Sequence, residues 1–205
     1  IQASAGTLSG NIEAKNITVG ELSLKSTSGD VSAESTKADI VDYSSQSGSL
    51  DITHLSAGQC KVKCTSGNVE IEDSSIANAD VGSISGDVTI SNIAGENLSV
   101  KSTSGNVELD VNVKRCWADS KSGDVDAVFN GDVTLESSST SGNIHIRLKN
   151  FGNGYVIKSR TVSGNLSIHY NDIRQRNLKT GTYTYGNQGS VLNLSSVSGD
   201  IQVND

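Results

Sequence analysis

The sequence has no proline, no methionine and one tryptophan, and aromatic residues make up only 4 % of it. So few rings exclude a core built on stacked aromatics, and the missing prolines remove the usual guard of exposed strand edges. No apolar run is long enough to cross a membrane, and the opening residues do not form a leader. Because the sequence begins at Ile1, we expect an initiator, leader or anchoring segment outside it. Positive charge is also short: the net charge of -7 leaves no basic footprint for nucleic acid and no polybasic patch for anionic lipid. Nucleic acid is therefore not expected as a partner, and a cationic one fits better. The three cysteines form neither a CxxC nor a zinc pattern.

Gly, Ser, Asn and Thr are plentiful, a balance suggestive of a disordered linker until its periodicity is read. The stretch KSTSGDV at Lys25 to Val31 returns as KCTSGNV from Lys63 and KSTSGNV from Lys101. Aligned copies place a glycine at Gly10, Gly29, Gly48, Gly67, Gly86, Gly105, Gly123, Gly142, Gly164 and Gly199. The spacing is 19 residues five times, then 18, 19, 22 and 35.

Two and four residues after each glycine stand aliphatic residues, with a mostly polar one between them. Seven and five residues before it, small or apolar residues recur with the same alternation. A period of two is that of a strand with one buried face. Three residues before the glycine is Ser, Thr or Cys in every copy, and one before it is always Ser. Parity predicts that both columns face inward.

Each unit supplies two short strands and too little apolar surface to fold alone, so units must stack. The expected fold is all-β: a parallel β-helix, or β-solenoid, of about ten 19-residue coils forming one domain over residues 1–205. At ~4.8 Å per coil the rod is on the order of 45 Å long. Crossover chirality favours a right-handed coil. Glycine at the corner is expected for a backbone conformation other residues adopt reluctantly. The residue after it forms a column, among them Asp30, Asn68, Asp87, Asn106 and Asp200, read as a ladder in which Asn or Ser separates like charges. The structural corner is thus Gly29-Asp30, Gly67-Asn68, Gly86-Asp87, Gly105-Asn106 and Gly199-Asp200.

Chemical alternatives fit the pattern less well. A calcium ladder needs several carboxylates per ion at nine-residue spacing, so no metal site and no cofactor is expected. An ice-binding face needs outward hydroxyls, whereas parity turns these serines inward. Cys60, Cys64 and Cys116 are too far apart to bridge and are read as buried free thiols. Carboxylates at Asp51, Glu70, Glu72, Glu108, Asp110 and Asp126 share one outward face, which could serve a carbohydrate-active lyase or hydrolase or simply be solvated. His145 and His169 are expected near each other on adjacent coils. A column of Lys25, Lys63 and Lys101 recurs every second coil, and Trp117 is expected to point outward from the one shortened coil.

The repeat is interrupted between Gly164 and Gly199, with the surplus in residues 171–190. Arg174, Arg176, Lys179, Tyr183 and Tyr185 gather there, giving local positive charge and two of the five tyrosines. Such an insertion serves as a lateral binding loop or as a cap on the open end, and both readings stand.

The run of Ser-x-Ser-Gly-Asp/Asn-Val/Ile units, closing with Thr184-Tyr185-Gly186 and then Ser195 to Ile201, resembles the DUF4097 family of bacterial β-strand-repeat proteins, often labelled adhesins. The resemblance spans essentially the whole chain. It implies an extracytoplasmic envelope or surface protein, tethered by a segment outside this sequence, with ties to envelope-stress responses in some Gram-positive relatives. It implies no catalytic residues. The leading expectation is a noncatalytic, adhesin-like module that meets an envelope component, a protein or a cationic peptide. A carbohydrate-active β-helix enzyme and a purely structural spacer are the alternatives.

Overall fold

In a computed structural model describing residues 1–152, 154–187 and 189–205, the chain winds into a β-solenoid, with no helix among the described residues. Strands β1 (Gln2–Thr7), β2 (Ile12–Lys15), β3 (Thr18–Ser26), β4 (Val31–Glu34), β5 (Lys37–Ser45), β6 (Leu50–Thr53) and β7 (Ser56–Cys64) alternate between two walls. Odd-numbered strands stack in parallel before the glycine corner, even-numbered ones after it. Strands β8 (Val69–Ser83), β9 (Val88–Ser102) and β10 (Val107–Ser120) run on through the second corner and serve both walls. Next come β11 (Val125–Asn130), β12 (Thr134–Ser139) and β13 (Ile144–Lys149).

The period-two pattern is realised as predicted. Val31, Leu50, Val69, Val88, Val107, Val125, Ile144, Leu166 and Ile201 form one fully buried column. Each contributes about 1.5–3 kcal/mol of apolar burial, but only because a neighbouring coil covers it.

The corner works differently from the expectation in two respects. The repeated glycines are not held by an unusual φ: apart from Gly10, none of the ten has a positive φ. They are required because each Cα passes against the carbonyl of the glycine one coil below. A Cβ on Gly29 would collide with Gly10 O, and one on Gly86 with Gly67 O. The serine just before the glycine faces out: Ser28, Ser47, Ser66, Ser104 and their equivalents are exposed. Only the column three before the glycine turns inward.

Both polar columns of the corner satisfy backbone groups. The inward hydroxyls donate to the glycine carbonyl of the coil below, as Ser45 Oγ to Gly29 O (3.0 Å) and Ser120 Oγ to Gly105 O (2.9 Å). Cys64 Sγ donates likewise to Gly48 O at 3.1 Å. In the ladder, the Oδ1 of Asn11 accepts from the Asp30 amide (3.0 Å), and that of Asp87 from the Asn106 amide (2.7 Å). Asp and Asn both occur there because the ladder needs only an acceptor oxygen. The opposite corner turns through a left-handed residue at Asn16, Ser35, His54, Asp73 and Asn92 (φ 48 to 55°), a conformation that Asn and Asp tolerate best. In the coil one residue short, no such residue occurs, and a register shift at Asp110/Val111 takes up the difference.

Eight coils, from Gly10 to Gly142, stack in chain order. The last two exchange places. Strands β14 (Gly154–Thr161) and β15 (Leu166–Tyr170) lie one layer too far out, followed by β16 (Ile173–Leu178) and β17 (Gly181–Gly186). Strands β18 (Ser190–Ser196) and β19 (Ile201–Asn204) then return and fill the gap: β18 between β12 and β14, β19 between β13 and β15. The glycine column accordingly runs Gly142, Gly199, Gly164. His145 and His169 are therefore not on adjacent coils as expected, because β19 lies between them.

Of residues 171–190, β16 and β17 form the end layer, while Ser190 already belongs to β18 and residue 188 lies outside the described residues. β16 pairs antiparallel with β15, and β17 antiparallel with β14. Beneath them Phe151, Tyr155, Tyr170 and Tyr185 pack with ring centroids 5.3 to 6.4 Å apart, closing the core with half of the scarce aromatic residues.

Candidate functional site

The exchange of coils builds the most distinctive surface of the molecule. On the outward side of the post-glycine wall, side chains two residues apart along each strand line up from coil to coil. One such row runs Glu72, Ser91, Asp110, with Val128 in register beyond it and Arg147 after that. It continues to Asn204, which pairs with Arg147, and past it to His169, which pairs with Arg174. The neighbouring row carries Asp51, Glu70, Thr89, Glu108, Asp126, His145 and Gln202. The face is a shallow trough with charge segregated along the rod: carboxylates in the middle, arginines at the closed end.

Two concave stretches share Arg147 and Asn204 as a common border. The first, of about 440 Å³, is lined by Thr89, Ser91, Glu108, Asp110, Asp126, His145 and Arg147 among others. The second, of about 390 Å³, is lined by Arg147, Ser167, His169, Arg174, Arg176, Gln202, Asn204 and Asp205 among others. His145 Nδ1 lies 2.8 Å from Asp126 Oδ1, a half-exposed contact where the two zones of charge meet. Asn130 Nδ2 donates to Asp110 Oδ1 at 2.7 Å. The aligned carboxylates Glu108 and Asp126 sit on neighbouring strands, Glu108 exposed and Asp126 half-exposed beside His145, and no cluster of metal-ligating side chains occurs among the described residues.

The residues singled out in the interruption divide. Arg174 and Arg176 are exposed and line the second stretch. Gln175, between them, accepts from the Tyr185 hydroxyl, so the turn of the strand that ties the cap to the plug also aims both arginines at the trough. Tyr185 is buried in the aromatic plug, and Tyr183 packs on the core while its hydroxyl donates to Lys179 O at 2.6 Å. Lys179 is exposed and does not line the trough. Sequence reasoning did not single out Arg147, Gln202 or Asn204, because they meet the arginines of β16 only once the last coil is inserted.

The match to known proteins agrees with this architecture. A family model described as Toastrack DUF4097 matches residues 2–79 and 39–204. The chain belongs to this family. No curated protein and no solved structure matches it.

Other features of this Toastrack chain serve structure. Two lysines of its column are partnered: Lys25 reaches Asp42 (2.8 Å) and Lys63 reaches Asp80 (3.5 Å), each one coil on. All three cysteines are free and buried. Burial pushes the Cys60 thiol up to about 12 and raises those of Cys64 and Cys116, so none is poised as a nucleophile. Trp117 points outward and remains about a third exposed (37 %) on the other wall, away from the trough.

Proposed function

We propose that the protein is a noncatalytic interaction module of the cell envelope or surface, and that the charge-segregated trough is the surface with which it meets its partner. The observation that supports this reading is the trough itself: a long, open, rigid sheet face with carboxylates aligned in register and no enclosed pocket around them. Catalysis needs groups held in a water-excluded site with tuned protonation, whereas an extended ligand laid along a sheet needs a shallow, regular surface. The central carboxylates favour a cationic stretch of such a ligand, an envelope protein or a basic peptide, through charge steering.

The test is co-sedimentation of the purified protein with isolated bacterial envelopes, comparing wild type with Glu70→Gln/Glu108→Gln and with the opposite-wall control Lys61→Gln. Binding that falls at least fivefold in the carboxylate variant and is unchanged in the control supports the reading. Equal binding by all three contradicts it. Release of reducing sugar from a polysaccharide, abolished by Glu108→Gln, would establish the enzyme reading in its place.

A further inference from the structure

The closed end of the trough has a property that the acidic middle does not explain. Five lysines of this protein hold carboxylates: Lys15, Lys25, Lys63, Lys114 and Lys149. No arginine does so among the described residues. Three of the five arginines, Arg147, Arg174 and Arg176, nevertheless converge on one concave stretch of an acidic protein. They come from separate strands, β13 and β16, with β19 and β15 between them presenting Asn204 and His169 in the same row. One carboxylate, Asp205, shares the lining, and its Oδ2 accepts from the Asn171 amide at 2.6 Å.

Guanidinium forks match planar oxyanions in geometry, and Asn204 and His169 supply further polar groups between them. We infer that this end of the trough is an oxyanion subsite and that the ligand is zwitterionic: an extended peptide whose free carboxylate lies over Asn204 and His169 and whose cationic side chain reaches Glu108 and Asp126. The inference rests on the trough being the binding face. Glu108 stands about three to four strand spacings from the middle of the arginine group, so the two charges of the ligand are separated by roughly 15 Å. An extended chain covers that in four to five residues. The acidic middle repels a polyanion, which selects against ligands carrying oxyanions along their length.

The experiment is calorimetric titration of the full chain, at low and at physiological salt, with an N-acetylated pentapeptide of one lysine followed by four alanines. The peptide is used as the free acid and as the C-terminal amide, with inorganic phosphate as a bare-oxyanion probe. Wild type is expected to bind the acid at least tenfold more tightly than the amide, with both weakened by salt. In Arg147→Gln/Arg174→Gln the preference falls below twofold, while Glu108→Gln weakens both peptides and keeps the preference. All substituted side chains are exposed, and an unchanged thermal melt confirms that each variant is folded.

Equal affinity for acid and amide overturns the oxyanion subsite and leaves the trough as a site for cations. A preference that survives in the arginine variant places the carboxylate elsewhere and overturns it too. Phosphate bound through the arginines with no preference for the acid peptide overturns the zwitterionic ligand. Failure of both peptides and of phosphate to bind overturns this inference and the proposed binding face together.

Discussion

The eight coils from Gly10 to Gly142 and the segment from Phe151 onward use the same building parts and differ in what they do with them. In the first region every coil lies on its predecessor, and glycine carbonyl, inward hydroxyl and ladder oxygen repeat with little change. In the second the chain skips a layer, reverses direction through β16 and β17, plugs the core with tyrosines, and returns to fill the skipped layer. The regular region produces a rod. The irregular one produces an end, and with it the meeting of Arg147, Asn204, His169 and Arg174. Repetition therefore accounts for the stability of this chain, and departure from repetition accounts for the mixed chemistry of the trough.

The sharpest way to break that contrast is at the glycines. In the regular region Gly105→Ala places a methyl group against Gly86 O, with backbone on both sides and nowhere to move. A loss of about 3 kcal/mol is expected in denaturant unfolding, felt through the whole stack. Gly154→Ala makes the equivalent collision with Tyr185 O at the antiparallel end layer. Its loss of hydrogen-exchange protection should be confined to β14, β16 and β17. Gly82→Ala, where the nearest atom is Lys101 O at 3.6 Å, should be neutral or slightly stabilising. Uniform effects at all three positions would erase the distinction between the regions.

A smaller effect is expected at the inward hydroxyls. Ser120 Oγ donates to Gly105 O and accepts from the Gly123 amide at 3.0 Å, so Ser120→Ala orphans two buried backbone groups. The expected cost is about 1–2 kcal/mol by chemical denaturation. Ser120→Cys should cost less, because Cys64 fills the same place in another coil with its thiol on Gly48 O.

Near neutral pH the thiols give the smallest effect. Burial raises the Cys60 thiol from 9.0 to about 12 and keeps it neutral in the folded protein, whereas the unfolded chain ionises it from about 9 upward. The unfolded state therefore binds fewer protons in that window, and stability should decline as pH rises from about 9 toward 12. Alkylation of all three thiols at pH 8 should proceed at the rate of unfolding; fast labelling of the native protein would show the core to be open.

The regular region was legible in the sequence because its period, its alternation and its small polar columns are local and repeat many times. Two details were not. Parity alone turned the serine before the glycine inward, but the chain leaves strand geometry at the corner and exposes it. Glycine was assigned to backbone freedom, although close approach of the next coil is what demands it.

The exchanged coils were hidden for a different reason: nothing local states which layer a strand joins when every layer presents the same face. One signal was available. In chain order the ladder residues end Asn143, Asn165, Asp200, with two asparagines in succession. In stacking order they read Asn68, Asp87, Asn106, Asp124, Asn143, Asp200, Asn165, an unbroken alternation. Carboxylates never stack on carboxylates there, as spacing like charges by one rung requires. Of the residues expected to bind, Tyr185 went to the plug and Tyr183 onto the core because a solenoid end must be covered, and the arginines were left to the trough.

The central claim is the order of layers, and cysteine cross-linking across the outward side of the other wall tests it without touching the trough. Glu136 and Asn193 are direct partners on β12 and β18, whereas Lys158 lies one layer further, paired with Asn193. Adjacent strands lie ~4.8 Å apart, within disulfide reach, and strands two layers apart at ~9.6 Å do not. Under mild oxidation the pair Glu136→Cys/Asn193→Cys should close rapidly and Glu136→Cys/Lys158→Cys should stay reduced. Closure of the second pair and not of the first would mean that the coils stack in chain order, and the trough as described here would not exist.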